Sequence, residues 1–340
     1  MPEAQDADRP AGAKRRSSPH HGRRRRVLTA VTLLTAVVGA TTAVACGVLR
    51  PAGGPDDPDD PAGPAPLTAP ATPGDSDPRD LTPAEEDLLH SAEQLLLRDC
   101  MRAKGFVYQP VARQPVPEAR EFPYVIDDVE WARRHGYGRD IERRLEEVRT
   151  NDPNQRYFEG LPADRKAPAI AAANGPRAEG LTARTPEGMP VTRSPEGCTS
   201  QGQRTLYLDL AAWFQARVTM DSLPSLRGEK VTADQELVGP THAWAACMRS
   251  AGHDYADPAA LRAAQPPRDR TWPREQESAL AVAEAQCAQD SGFAATARRL
   301  DRKYDAELRQ QYRSDALAWQ RLRLAALPRA RSVVAADPGH

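Results

Sequence analysis

Cys100-Met101-Arg102-Ala103-Lys104-Gly105-Phe106-Val107-Tyr108 and Cys247-Met248-Arg249-Ser250-Ala251-Gly252-His253-Asp254-Tyr255 are two copies of one motif. Cysteine, methionine, arginine, glycine and tyrosine recur at identical offsets, and each copy closes a stretch with helical periodicity. In this pattern a helix runs into the Cys-Met-Arg turn and the glycine takes the left-handed conformation that ends it. The tyrosine three residues later can then fold back and pack its ring beside the cysteine. The chain is therefore expected to be all-α: an irregular helical domain braced by two disulfides, after a membrane anchor and a disordered linker. Few aromatic residues and an abundance of alanine, leucine and arginine favour helices over strands.

The cysteines are Cys46, Cys100, Cys198, Cys247 and Cys287. With Cys46 assigned to the anchor, an even number remains for the domain, as an oxidising compartment favours. Cys198 and Cys287 each precede a new helical segment, Gln203 onward and Ala294 onward. The simplest pairing repeats one unit twice, Cys100 with Cys198 and Cys247 with Cys287, although four cysteines permit other connectivities. No C-x-x-C spacing occurs, and no histidine stands where a zinc-finger ligand would. Structural bridges are expected, with no metal and no cofactor.

Outward from the motif, Thr82-Pro83-Ala84-Glu85-Glu86 is a helix start: a cap, a proline in the first turn, and acids on the dipole. Leu88, Leu89, Ala92, Leu95, Leu96 and Met101 follow at helical spacing. Residues 127–149 read as helix interrupted by Gly136-Tyr137-Gly138. Residues 152–195 read as loose chain with at most a short helix over 163–173. Further helices are expected over 205–222, 232–248 with a break at Gly239-Pro240, 273–287 and 294–326. The last carries the stripe Leu300, Tyr304, Leu308, Tyr312 and Trp319. The helical domain is placed at 81–327, with 110–195 a loop-rich insertion and 328–340 a tail.

The N-terminus speaks to the compartment. Residues 1–26 carry eight basic side chains against three acids. Val27 to Leu49 is uncharged and mostly apolar, bounded by Arg23-Arg24-Arg25-Arg26 and Arg50, and is long enough to span a bilayer. The arginine block should stay cytoplasmic and send the rest outward. Ala43-Val44-Ala45 followed by Cys46 resembles a bacterial lipobox, which makes Cys46 a candidate for lipidation. An uncleaved signal anchor is the other ending, because Ala43 stands where the lipobox prefers leucine and the apolar run continues through Val48-Leu49. Residues 50–80, rich in proline, glycine and aspartate, read as a disordered linker. Without the first 26 residues the chain is mildly acidic, which argues against nucleic acid as a partner.

No phosphate-binding glycine loop, H-E-x-x-H or G-x-S-x-G occurs. His253-Asp254-Tyr255-Ala256-Asp257 gathers possible metal ligands, but at a helix exit where polar residues are expected. Asp127-Asp128 and Glu146-Glu147 are adjacent acids that could suggest a glycosidase pair. The former reads first as a helix cap. Glu142, Arg143, Glu146 and Arg149 read as a solvated face with i,i+4 partners.

The paired Cys-Met-Arg-x-x-Gly motifs join two further runs: Glu130-Trp131-Ala132-Arg133-Arg134-His135-Gly136-Tyr137-Gly138 and Asn151-Asp152-Pro153-Asn154-Gln155-Arg156-Tyr157. Together they resemble secreted proteins and lipoproteins of high-GC actinobacteria without an assigned activity, over about residues 85–325. The resemblance implies the compartment and the paired cysteines and carries no catalytic residue. The expected function is an accessory or interaction protein, membrane-anchored on the outer side of the cell envelope, whose partner is an envelope protein or cell-wall component. The alternative is an enzyme acting on an envelope polymer. It predicts a cleft with converging carboxylates between the inserted region and the helix from Ala294.

Overall fold

Thr82 caps the first helix reciprocally: its hydroxyl accepts from the Glu85 amide, and the Glu85 carboxylate accepts from the Thr82 amide at 2.9 Å. The arginine of Arg79 grips the same carboxylate with two bonds of 2.7 Å, which together with the cap holds Glu85 down at about 2. The computed structural model describes residues 78–337, and α1 (Pro83–Ala103) is its first helix. Leu89, Ala92, Leu95 and Met101 form its buried stripe.

Both motif copies end their helices in the same way. After α1, Gly105 has φ 78°, its amide donates to the Arg102 carbonyl at 3.0 Å, and the Phe106 amide donates to Met101 at 2.9 Å. After α8 (Val238–Ser250), Gly252 has φ 87°, its amide donates to Arg249 at 3.0 Å, and the His253 amide donates to Met248 at 2.8 Å. This doubly bonded exit needs a left-handed residue, which glycine supplies without steric cost. Tyr108 packs in one apolar cluster with Cys100, and Tyr255 in another with Cys247. The cysteines are bridged Cys100–Cys198 and Cys247–Cys287, with Cα atoms 5.6 Å apart in each pair. Cys198 opens α6 (Cys198–Tyr207), and Cys287 lies in the last turn of α10 (Arg274–Asp290).

The helices gather around several apolar clusters. α1, α6, α7 (Leu210–Ala233) and α12 (Arg313–Ala335) enclose Leu89, Leu206, Leu210, Trp213, Ala326 and Leu327. α8, α10 and α11 (Phe293–Gln311) enclose Trp244, Met248, Ala288 and Leu300, closed at one end by α9 (Pro258–Ala264) through Leu261. α7 belongs to both groups, since it packs on α12 and on α11. α2 (Val129–His135) lies on α10, and α3 (Arg139–Thr150) follows the Gly136-Tyr137-Gly138 turn that the sequence marks.

Several expectations are corrected. The short helix expected over 163–173 is α5 (Ala163–Asn174), but the rest of 152–195 is not loose chain: it holds α4 (Pro153–Gly160) and an antiparallel hairpin of β1 (Leu181–Arg184) and β2 (Pro190–Arg193). Among the described residues the fold is thus mostly helical rather than purely α. The cue for α4 was Asp152-Pro153, where the Asp152 carboxylate accepts from the Asn154 amide at 2.8 Å, the same cap-and-proline start as Thr82-Pro83. The hairpin uses threonine and valine, which suit strands, around Pro186-Glu187-Gly188. Its edge is tied to α7, where Gln215 exchanges bonds of 2.9 and 3.0 Å with the Arg184 backbone.

The helix expected over 294–326 is two helices, α11 and α12, parted at Tyr312. The stripe is therefore divided: Leu300 and Leu308 are buried on α11, while Trp319 packs with α7 from α12. α12 runs on to Ala335, so residues 328–335 are helix and not tail, and Leu327 and Ala330 are buried. Pro328 sits inside it, costing one backbone bond that the buried stripe offsets.

The expected helix over 205–222 is likewise two, α6 and α7, parted at Leu208. Leu208 has φ 65° and ψ −57°, and the Asp209 amide donates to Tyr207 across it at 2.8 Å. That is a γ-turn of the hand that crowds an L side chain. The leucine is 65% exposed, so little packing compensates. Leu208→Gly is expected to raise stability by about 1 kcal/mol. A lower urea midpoint in the variant would refute this.

Candidate functional site

An open cleft of about 830 Å³ lies between residues 120–130 and the N-terminal half of α11, with Arg227 of α7 at its edge. Its wall is held from behind. The Ile126 amide donates to Glu284 of α10 at 3.4 Å, Gln289 donates to the Asp127 carbonyl at 2.9 Å, and Arg262 of α9 donates to the Pro123 carbonyl at 3.3 Å. Phe122 and Tyr124 supply its aromatic lining.

The cleft stands where the enzyme alternative puts one, so its carboxylates decide what it can do. Asp127 pairs with Arg298 across the opening. Asp128 also lines the cleft, accepting from the Trp131 amide at 2.9 Å as the cap of α2 and pairing with Arg120. The Trp131 amide bond and the arginine keep it below the usual carboxylate range. Asp301 holds Arg227 at 2.9 Å and the Tyr124 hydroxyl at 2.6 Å. Burial, with the Asp301 charge beside it, pushes that hydroxyl up to about 12. Each of these three partly buried acids is thus committed to a cation or a helix end, while Glu121 and Glu130, which also line the cleft, are exposed to solvent and Glu130 pairs with Arg133. General acid or base work needs a carboxyl free to exchange a proton with a substrate.

The ion pairs continue along α11. Arg227 also reaches Asp305 at 2.8 Å, Asp305 holds Arg309 at 2.7 Å, and Arg309 lies 3.6 Å from Asp80, just ahead of α1. The i,i+4 spacing of Asp301, Asp305 and Arg309 is visible in the sequence. Arg227, which joins the chain from α7, had no local signal at all.

The remaining candidates do not converge. Asp257 caps α9, accepting from the Ala260 amide at 2.7 Å, while His253 sits in the exit from α8. Glu146 pairs with Arg149, and Glu142 with Arg268 at 2.9 Å rather than within its own helix. Among the described residues, no group of three or more histidine, cysteine, aspartate or glutamate side chains could hold a metal ion.

Sequence reading missed a buried polar cluster behind the cleft. Glu277 and Glu284 are both buried on α10, and Glu277 accepts from the Tyr137 amide at 2.9 Å. The Tyr137 hydroxyl faces Glu284 without a well-formed hydrogen bond, and the second oxygen of Glu284 is unpaired. Burial raises both the Glu284 carboxyl and the Tyr137 hydroxyl. A carboxyl raised in the fold binds its proton more tightly there than in the unfolded chain, so stability falls as pH rises above the ordinary carboxyl range. Glu284→Gln, which mimics the protonated form, is expected to be more stable than the parent at pH 8, with the gap closing toward pH 4. A gap that widens toward acid would contradict it.

The anchor at 27–49, Cys46, and all of the linker but residues 78–80 lie outside the described residues. Within them, no helix is long and apolar enough to cross a membrane. The chain matches no protein-family profile, no curated protein and no solved structure.

Proposed function

We propose that this protein is an accessory module anchored on the outer face of the cell membrane, which uses the cleft between residues 120–130 and α11 to bind an envelope protein or cell-wall component. The observation that carries the reading is the commitment of Asp127, Asp128 and Asp301 to arginines, to a helix end and to Tyr124. Paired charges beside half-buried aromatic rings suit recognition, where partner groups exchange with internal ion pairs. Two disulfides agree with an oxidising, extracytoplasmic setting. The apolar segment after the arginine block supports the anchor, and the likeness to actinobacterial secreted proteins and lipoproteins supports the same compartment.

A pull-down of the full chain from envelope extract is expected to recover a partner that Arg298→Glu loses while the fold is kept. Turnover of a wall polymer that Asp301→Asn abolishes would establish the enzyme instead, a reading favoured only by where the cleft lies. Topology is tested by protease added to spheroplasts, which should degrade the helical domain. Labelled palmitate separates the anchors: incorporation lost in Cys46→Ala identifies a lipoprotein, and none in the parent chain identifies the uncleaved helix.

A further inference from the structure

α12 is a cationic helix. It carries Arg313, Arg321, Arg323, Arg329 and Arg331 against the single acid Asp315. Asp315 turns inward, accepting from Thr219 at 2.5 Å and from Gln215 at 3.1 Å. Arg323 is taken up by Glu86 at 3.1 Å, and Arg329 donates to the Leu206 carbonyl at 2.7 Å. Arg321 and Arg331 remain exposed with no hydrogen bond or ion pair to the described residues. The other exposed positions between them are Ala325 and Pro328, so this stretch presents two arginines about 15 Å apart and no carboxylate.

The place where the N-terminal chain joins the fold gives this face its neighbour. Gln320, next to Arg321, donates to the Asp80 carboxylate at 2.8 Å. The chain therefore enters the described fold beside Arg321, at the start of this stretch. From these observations we infer that the exposed face of α12 docks on an anionic phospholipid surface. The inference rests on the reading of the N-terminus as a membrane anchor, which keeps the entering chain and α12 near the same bilayer. Anionic headgroups attract arginine within a Debye length, roughly 10 Å at moderate salt. Docking is therefore expected to be sensitive to both salt and lipid charge. It also leaves the cleft clear: Arg298 stands eleven positions before Arg309, the residue that meets Asp80, or about 16 Å farther along α11.

The test uses the full chain with a fluorescent amino acid in place of Ala325, reconstituted into vesicles that carry a headgroup quencher. Quenching is expected in vesicles containing phosphatidylglycerol and not in phosphatidylcholine alone, and it should disappear in 0.5 M salt. The Arg321→Gln, Arg331→Gln double variant should shift the docked-to-free ratio by roughly twenty-five-fold, about five-fold per arginine. A second label at exposed Ala279 should stay unquenched throughout. Equal quenching in both vesicles, or none in either, would overturn the proposal. Emission that responds to soluble polyphosphate but not to anionic vesicles would also overturn it, assigning the face to a phosphate polymer. Failure of the anchor is read separately, by whether the chain washes off the vesicles in high salt.

Discussion

Removing the Cys100–Cys198 bridge, as Cys100→Ser with Cys198→Ser, should cost more stability than removing Cys247–Cys287 in the same way. The first bridge closes a separation of 98 residues and the second one of 40. On loop-closure entropy alone these correspond to about 4.7 and about 4 kcal/mol. Native domains keep only about 5–15 kcal/mol in total, so either loss is a large share. Cys198 is fully buried, which adds a packing cost in the serine variant that reduction alone does not impose. Denaturant titrations of the oxidised, reduced and serine-substituted proteins would separate the two contributions. A reduced protein with an unchanged midpoint would show that the bridges are not needed to hold the helix ends together.

Trp213→Ala is the point substitution expected to do most damage in the helix group of α1, α6, α7 and α12. Trp213 is 3% exposed and lies between Tyr207, with ring centroids 3.5 Å apart, and Trp319, at 4.6 Å. The three rings come from α6, α7 and α12, so one side chain ties three helices. Truncating a buried aromatic costs about 3–5 kcal/mol, and loss of the stacking adds to it. Trp272, stacked on Tyr137 at 5.4 Å but only half-buried, should cost far less when truncated. Comparing the urea midpoints of the two alanine variants checks both statements. Equal losses would mean that the stack contributes nothing of its own.

The parts of the fold that sequence reasoning found are those with strong local signals. The repeated Cys-Met-Arg-x-x-Gly motif carried the helix ends, the tyrosine packing and the pairing of the cysteines. Capping residues at Thr82 and Asp128 identified two helix starts. The errors arose where a local signal was overruled by packing elsewhere. A tail was expected from residue 328, but Leu327 and Ala330 continue the buried stripe of α12 past Pro328. Tyr312 belongs to an unbroken periodic pattern, yet the chain breaks there. The hairpin at 181–193 depends on α7 for its edge, and α7 is distant in sequence. The candidate cleft was legible only in outline. Asp127 and Asp128 were noticed, but their partners Arg298 and Arg120 follow from the tertiary arrangement, as does the meeting of Arg227 with Asp301.

The first bridge also decides how the molecule would carry a load. A chain pulled from its two ends passes its load through the ring that Cys100 and Cys198 close, and the segment 120–130 lies inside that ring. Tension arriving at Pro83 runs the length of α1 to a covalent knot at its far end. Beyond that knot, roughly 330 Å of contour is locked within 98 residues, and roughly 140 Å more within the 40 residues of the second ring. Neither length can be drawn out by pulling on the chain ends while the sulfurs stay joined. Pulled from its two ends, the oxidised protein should therefore lengthen in shorter steps than the reduced one.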